Sequence, residues 1–221
     1  MKLVYPELNS ILDTDAPGIQ SLVVESPSFL RSLLMDLSGQ LRGEPGKFVL
    51  SKGNVPLDIA RNVELLDDLI GFELNRKPLL NKVMAALERE ANEPENMLET
   101  EAVLRRTELL LDRLAFPYPC DICYSKLNVS SLIRAVGVEL RDEYDDLLER
   151  LIDYMELVRE FDRDKLFVTV NLRSFFTDDE TAAFVETVIS HEYHVLMIES
   201  HDAPRLAAER RVTVDADLCE F

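Results

Sequence analysis

The sequence predicts an α/β fold, a head domain with a mixed sheet into which a helical leg is inserted, and three observations carry that expectation. Short apolar runs between turn formers fill the first seventy residues, long helical periodicities take over from Asn75, and a strand-helix-strand pattern returns between Lys165 and Ser200. A chain of 221 residues with 47% hydrophobic content is long enough for one sizeable core with a helical appendage. Residues 1–75 and 116–221 are expected to form the head and residues 76–115 the leg. A further helix over 142–161 is expected to pack against that leg.

Taken in order, Leu3-Val4-Tyr5, Ile11-Leu12 and the run Ile19 to Val24 read as short strands, separated by Pro6, Asn9, Asp15, Pro17 and Gly18. Pro27 opens a helix in which Phe29, Leu30, Leu33, Leu34, Leu37 and Leu41 recur at helical spacing, closed by Gly43, Pro45 and Gly46. Lys47 to Leu50 and Val63 to Leu66 read as two more strands. Beyond Asn75, Leu79, Leu80, Val83, Met84 and Leu87 share one stripe. After a break at Asn92-Glu93-Pro94, Met97, Leu104 and Leu111 repeat every seven residues. This is the pattern of a helical hairpin with a narrow apolar seam, and Phe116-Pro117-Tyr118-Pro119 ends it.

Val129, Leu132, Ile133 and Val136 make a short helix stopped by Gly137, and Val138-Glu139-Leu140 follows as an expected strand. A third long helix is expected to begin in the acidic run Asp142 to Asp146 and to carry Leu147, Leu148, Leu151, Ile152, Met155 and Val158 on its apolar stripe. Leu166 to Val170 is a strand of the fully buried type. Thr177-Asp178-Asp179-Glu180 is a capping box that sets the register of a helix with Phe184, Val185, Val188 and Ile189 inside. Val195 to Ile198 closes the unit as a strand parallel to the first if the crossover is right-handed.

Composition narrows the function. No stretch reaches the length of an apolar membrane span and the N-terminus lacks a signal peptide's apolar run, so a cytoplasmic protein without membrane contact is expected. Three cysteines do not make a disulfide framework. The formal charge of −18 repels phosphate at long range, yet a minority of Lys and Arg gathered on one face would still bind it.

Motifs narrow it further. Nothing matches GxxxxGK[ST] or GxGxxG, and the nearest glycine cluster, Gly43-Glu44-Pro45-Gly46, makes a poor anion nest, so no nucleotide cofactor is expected. Cys120-Asp121-Ile122-Cys123 has CxxC spacing but lacks further soft ligands beyond Cys219, and it reads as structural. His191, His194 and His201 are spaced unlike HExxH and read as surface or cap residues. No catalytic residue stands out, and the acidic clusters read as solvated faces or helix N-terminal charges.

Three segments together resemble the small, ring-forming, double-stranded-DNA-end-binding adaptation protein of type II-A CRISPR systems. They are Leu65 to Asn75 before the expected leg, Leu132 to Val138 after it, and Lys165 to Asn171 leading to Phe176-Thr177-Asp178-Asp179-Glu180. The resemblance implies a head like a degenerate P-loop (ABC-ATPase-like) domain without its phosphate loop, and four subunits closing into a ring around duplex DNA. It implies a non-catalytic, sequence-independent role in spacer acquisition and antiviral defence, with the adaptation integrase and the RNA-guided effector nuclease as partners. Asn171 stands where a working ATPase of that fold would place a metal-binding carboxylate. Lys52, Arg134, Arg159, Arg163 and Lys165, which lie on or beside matched segments, are the expected phosphate contacts, with Lys126 as a sixth.

Where streptococcal-type members of the family carry a run of carboxylates linked to calcium, this chain reads Asp121-Ile122-Cys123-Tyr124-Ser125-Lys126. Three alternatives follow. Lys126 supplies the positive charge locally, or calcium is held by Asp121 with Glu139 and Asp142, or the calcium role is lost. The rival functions are an oligomeric protein-protein adaptor that touches no nucleic acid and a hydrolase with an unrecognised carboxylate site.

Overall fold

The computed structural model describes residues 1–221. The strands fall into two sheets. β1 (Lys2–Val4), β2 (Leu12–Asp13), β4 (Val49–Lys52) and β5 (Val55–Leu57) form an antiparallel sheet in the order β2-β1-β4-β5. β3 (Ile19–Val24), β6 (Val63–Leu66), β7 (Leu166–Val170), β8 (His194–Glu199) and β9 (Glu209–Val214) form a parallel sheet in the order β6-β7-β8-β3-β9. The mixture of strand directions expected for the head is thus divided between two sheets. Two compact units result, Met1–Phe72 with Tyr144–Phe221, and Glu73–Glu143.

In the first unit the parallel strands are covered on both faces, so they read as near-continuous apolar runs. Leu22, Val24, Leu166, Val168, Leu196 and Ile198 point to one side, where they meet Leu33 and Leu37 of α1 (Pro27–Leu41) and Leu3, Leu12 and Leu50 of the antiparallel sheet. The opposite parity, including Val23, Phe167 and Met197, is buried on the side of α6 (Leu147–Phe161) and α7 (Asp178–Ser190). α6 contributes Leu151, Met155 and Val158, and α7 contributes Phe184, Val185 and Val188. The α7 capping box forms as expected, with Thr177 and Glu180 exchanging hydrogen bonds. α6 starts later than the acidic run suggested. Asp146 is its N-cap, its side chain accepting from the Leu148 N–H at 2.7 Å, so residues 142–145 precede the helix.

A one-turn helix, α2 (Ile59–Asn62), and strands β5 and β9 have no counterpart in the sequence reading. β9 follows a coil, 200–208, that carries the chain from β8 past β3. A coil crossover leaves carbonyls that no helix satisfies. Arg173 donates to the Pro204 carbonyl at 2.8 Å and Arg211 to that of Ala203 at 2.7 Å, while both arginines grip the Glu209 carboxylate, at 3.0 and 2.8 Å.

The second unit holds α3 (Lys77–Ala91), α4 (Pro94–Ala115) and α5 (Val129–Ala135). The stretch 76–115 read as a leg corresponds to α3 and α4, joined at Asn92-Glu93, and the unit also includes residues 116–143 because α5 packs on α3. Gly137 follows α5 with φ +67°, the left-handed C′ conformation. Val138-Glu139-Leu140 is not a strand. Its backbone is paired by a side chain instead: the Asn75 amide donates to the Leu140 carbonyl at 2.9 Å and accepts its N–H at 2.7 Å. No residue of α4 is buried. No helix of the chain is long and apolar enough to cross a membrane.

Candidate nucleic-acid interface

In a parallel sheet flanked by antiparallel-running helices, the C-termini of the helices and the N-termini of the strands share one edge, while ligands usually sit at the opposite, carboxyl edge. That carboxyl edge is closed here. β3 passes into α1 through Glu25 and Ser26 alone, and the Glu25 N–H is bonded to the Val214 carbonyl at 2.9 Å. Asn171, after β7, adopts the left-handed conformation with φ 53° and turns its side-chain oxygen to the Ser200 N–H at 2.8 Å, so it serves the backbone. Glu199 at the end of β8 is buried, and burial pushes its carboxyl up to about 7.

The amino edge is open. A half-enclosed cleft of ≈ 480 Å³ lies there, lined by Lys52 at the end of β4, Arg159 in the last turn of α6, Arg163 and Asp164 just beyond it, and the Thr14 to Gly18 link into β3. Gly18 has φ +90°, and a Cβ on it would collide with the Ala208 carbonyl, which accepts the Ile19 N–H at 2.9 Å. The link therefore hugs the sheet. Arg159 lies at a helix C-terminus, where a cation complements the dipole. It donates to the His191 carbonyl and its guanidinium lies 4.9 Å from the centre of the Tyr193 ring. Lys52 is hydrogen-bonded to Asp164, whose carboxyl that bond holds below its usual range. Asp15 is held low by its hydrogen bond to the Met1 amino group. Arg163 is exposed.

Of the six expected phosphate contacts, the fold brings Lys52, Arg159 and Arg163 to this one cleft. Lys165 turns inward: its side chain is only 10% exposed, and its ammonium donates to the Arg61 carbonyl at 2.6 Å, with Asp162 at 3.7 Å and Glu64 at 4.0 Å. It is committed to the join of α2 and β7 rather than to solvent. Arg134 and Lys126 belong to the second unit. Arg134 lines a separate cleft of ≈ 290 Å³ between α3 and α5 with Lys77 and Glu88, and Lys126 is exposed in the stretch between α4 and α5.

No three Asp, Glu, His or Cys groups, Asp121, Glu139 and Asp142 included, gather as a set that could hold a metal ion. His194 is not distinguished from the other histidines by its spacing, yet it lines the cleft with its Nδ1 3.3 Å from the Thr14 carbonyl, and burial lowers its pKa. His191 and His201 are exposed, as expected, and all three cysteines are free and exposed. Asp164 and the 14–18 link are equally silent in sequence, since nothing in their spacing places them beside Lys52.

A family model described as CRISPR-associated protein (Cas_Csn2) matches residues 40–218 of this chain. Among curated proteins, it is similar to the CRISPR-associated protein Csn2 of Streptococcus agalactiae, with 23% identity over 155 residues, covering 68% of this chain and 70% of that protein. It is also similar to the CRISPR-associated protein Csn2 of Enterococcus faecalis, with 22% identity over 136 residues, 61% of this chain and 62% of the relative, less than two thirds of its length.

Proposed function

The chain belongs to the CRISPR-associated Cas_Csn2 family, and from that premise we propose that it is a non-catalytic, sequence-independent binder of double-stranded DNA ends that works as a homotetrameric ring in spacer acquisition. The observation that carries this reading is the convergence of Lys52, Arg159 and Arg163 on one open edge of a chain whose formal charge is −18. In so acidic a protein, a local gathering of cations is where phosphate of the DNA would be held, and no base-reading element is needed for that. The adaptation integrase and the RNA-guided effector nuclease remain the partners implied by the family resemblance.

Assembly is supported separately by α4. None of the twenty-two residues of α4 is buried, and Leu98 and Leu109, about three turns apart on one face and each more than half exposed, present apolar surface that a second copy would cover. The non-catalytic part of the reading is supported by the closed carboxyl edge. We read this head as a nucleotide-domain scaffold in which the two-residue β3–α1 link replaces a phosphate loop and Asn171 serves the backbone.

Gel retention of linear against closed circular duplex by the purified protein tests the proposal. Retention of the linear form alone, blind to sequence, is expected. Reversing Lys52, Arg159 and Arg163 together to Glu should weaken retention and flatten its dependence on salt, by roughly one unit of log-log slope for each phosphate no longer neutralised. Failure to retain any duplex would favour the protein-protein adaptor.

A further inference from the structure

We infer that the cleft at the amino edge of the parallel sheet is a subsite for a terminal phosphomonoester, so that the chemistry of a DNA end, and not only its geometry, is recognised. The inference rests on the proposed DNA-binding function and specifies the ligand of that same site.

Shape and charge both point this way. An internal phosphodiester lies on the outside of a continuous strand and is met by cations on an accessible surface. A half-enclosed cleft of ≈ 480 Å³ is far too small for a duplex but ample for a chain terminus and its phosphoryl group. A phosphodiester carries one negative charge, whereas a monoester carries between one and a half and two near neutral pH, with a further oxygen to be hydrogen-bonded. Three cationic side chains line the cleft beside Asp15, Asp164 and Glu192, and Arg163, which has no partner, is free to meet that extra charge.

The donors are also prepared for it. Arg159 is held from behind by the His191 carbonyl and the Tyr193 ring, which fixes its planar fork, and only one of its terminal nitrogens is engaged. Lys52 is held by Asp164. Arg163 is exposed and enters no hydrogen bond or ion pair, which leaves all five of its N–H donors available. Carboxylates are present too: Asp164 is turned to Lys52, Asp15 to the Met1 amino group and His194, and Glu192 sits on the rim. Two of the three carboxylates are thus already engaged, and Arg163 is the uncommitted cation of the cleft.

The test compares two blunt duplexes of one sequence, with and without 5′-phosphates, by fluorescence anisotropy with the full-length protein at fixed salt. Binding about tenfold tighter to the phosphorylated duplex is expected, the scale of a charge-assisted hydrogen bond gained at a desolvated site. Arg163→Ala should bring the ratio of the two affinities to about one, whatever it does to the affinity for either duplex, and inorganic phosphate should narrow that ratio in the wild type alone. Equal affinity for the two duplexes would overturn this inference and leave sequence-independent duplex binding standing. No binding to either would overturn both.

Discussion

The head buries Phe167, Phe184 and Leu196 almost completely, whereas α4 in the second unit buries none of its side chains, and Phe116 at its end is 90% exposed. Leu74, Leu79 and Val129 are the buried hydrophobics of Glu73–Glu143; all the others belong to the head. Both regions are similarly rich in leucine, so the difference lies in what the leucines face. A parallel sheet between two helical layers offers two apolar interfaces per strand, while a pair of helices with a narrow seam offers one. The head is therefore held by its own core, and much of the apolar surface of the second unit stays exposed.

The largest expected effect tests the head's side of this contrast. Phe184→Ala removes a fully buried ring where α7 meets the sheet and should cost about 3–5 kcal/mol in urea unfolding. A loss below about 1 kcal/mol would mean that the head core is not what holds the chain together.

A smaller effect comes from the one acid of the core with a strongly raised pKa. In the folded state burial lifts the Glu199 carboxyl to about 7, above its value in the unfolded chain. Between about pH 4.5 and 7 the folded state keeps a proton that the unfolded state has released, so stability falls as pH rises through this window and levels off above it. The full penalty is at most about 3 kcal/mol. Glu199→Gln should flatten the pH dependence of unfolding in that range and leave the acid limb below pH 4.5 in place, where Asp15, Asp164 and Glu209, all with lowered pKa values, lose their charge. An unchanged profile would show that Glu199 is solvated.

The smallest effect on stability is expected in the second unit. Leu109→Asp on α4 lies at a position 58% exposed and should change the unfolding free energy by no more than about 0.5 kcal/mol. Sedimentation should nonetheless show the assembly reduced in size. If the variant unfolds while its size distribution stays the same, α4 is packed within the chain and the contrast between the two regions disappears.

Much of the head is legible in the sequence because its signals are local. Leu166 to Val170 is all β-branched or large apolar residues and becomes β7 without a change of boundary, as Val63 to Leu66 becomes β6. Pro94 and the Thr177 capping box mark helix starts wherever they occur, and both do so here. β9 is hidden because Arg210 and Arg211 read as surface charges. In the fold, Arg210 donates to the Pro17 and Ala16 carbonyls and Arg211 grips Glu209, so the charges are consumed in holding an edge strand. Leu140 misleads for the opposite reason: its local β signal is real, but its pairing partner is the Asn75 amide, 65 residues away.

The site is half legible. Lys52, Arg159 and Arg163 stand out by their neighbourhood in sequence, and folding brings them to one cleft. Lys165 qualifies on the same grounds, but the chain turns between Arg163 and β7, and the Lys165 side chain meets Arg61 and Glu64 instead of the cleft. The cleft's remaining wall comes from residues 14–18 and 188–194, segments whose only common property is that α7 ends where β3 begins. Such a property belongs to topology and leaves no mark in spacing.

The link of Glu25 and Ser26 also limits how this protein could be re-engineered. Building a phosphate loop after β3 would take an insertion, since two residues cannot wrap an anion, and the insertion would have to displace the Glu25 bond to Val214 that closes the end of the β3–β9 pair. Point substitution alone offers no route to such a loop. A laboratory selection for ATP binding in this scaffold should therefore return length variants at Glu25–Ser26, or nothing.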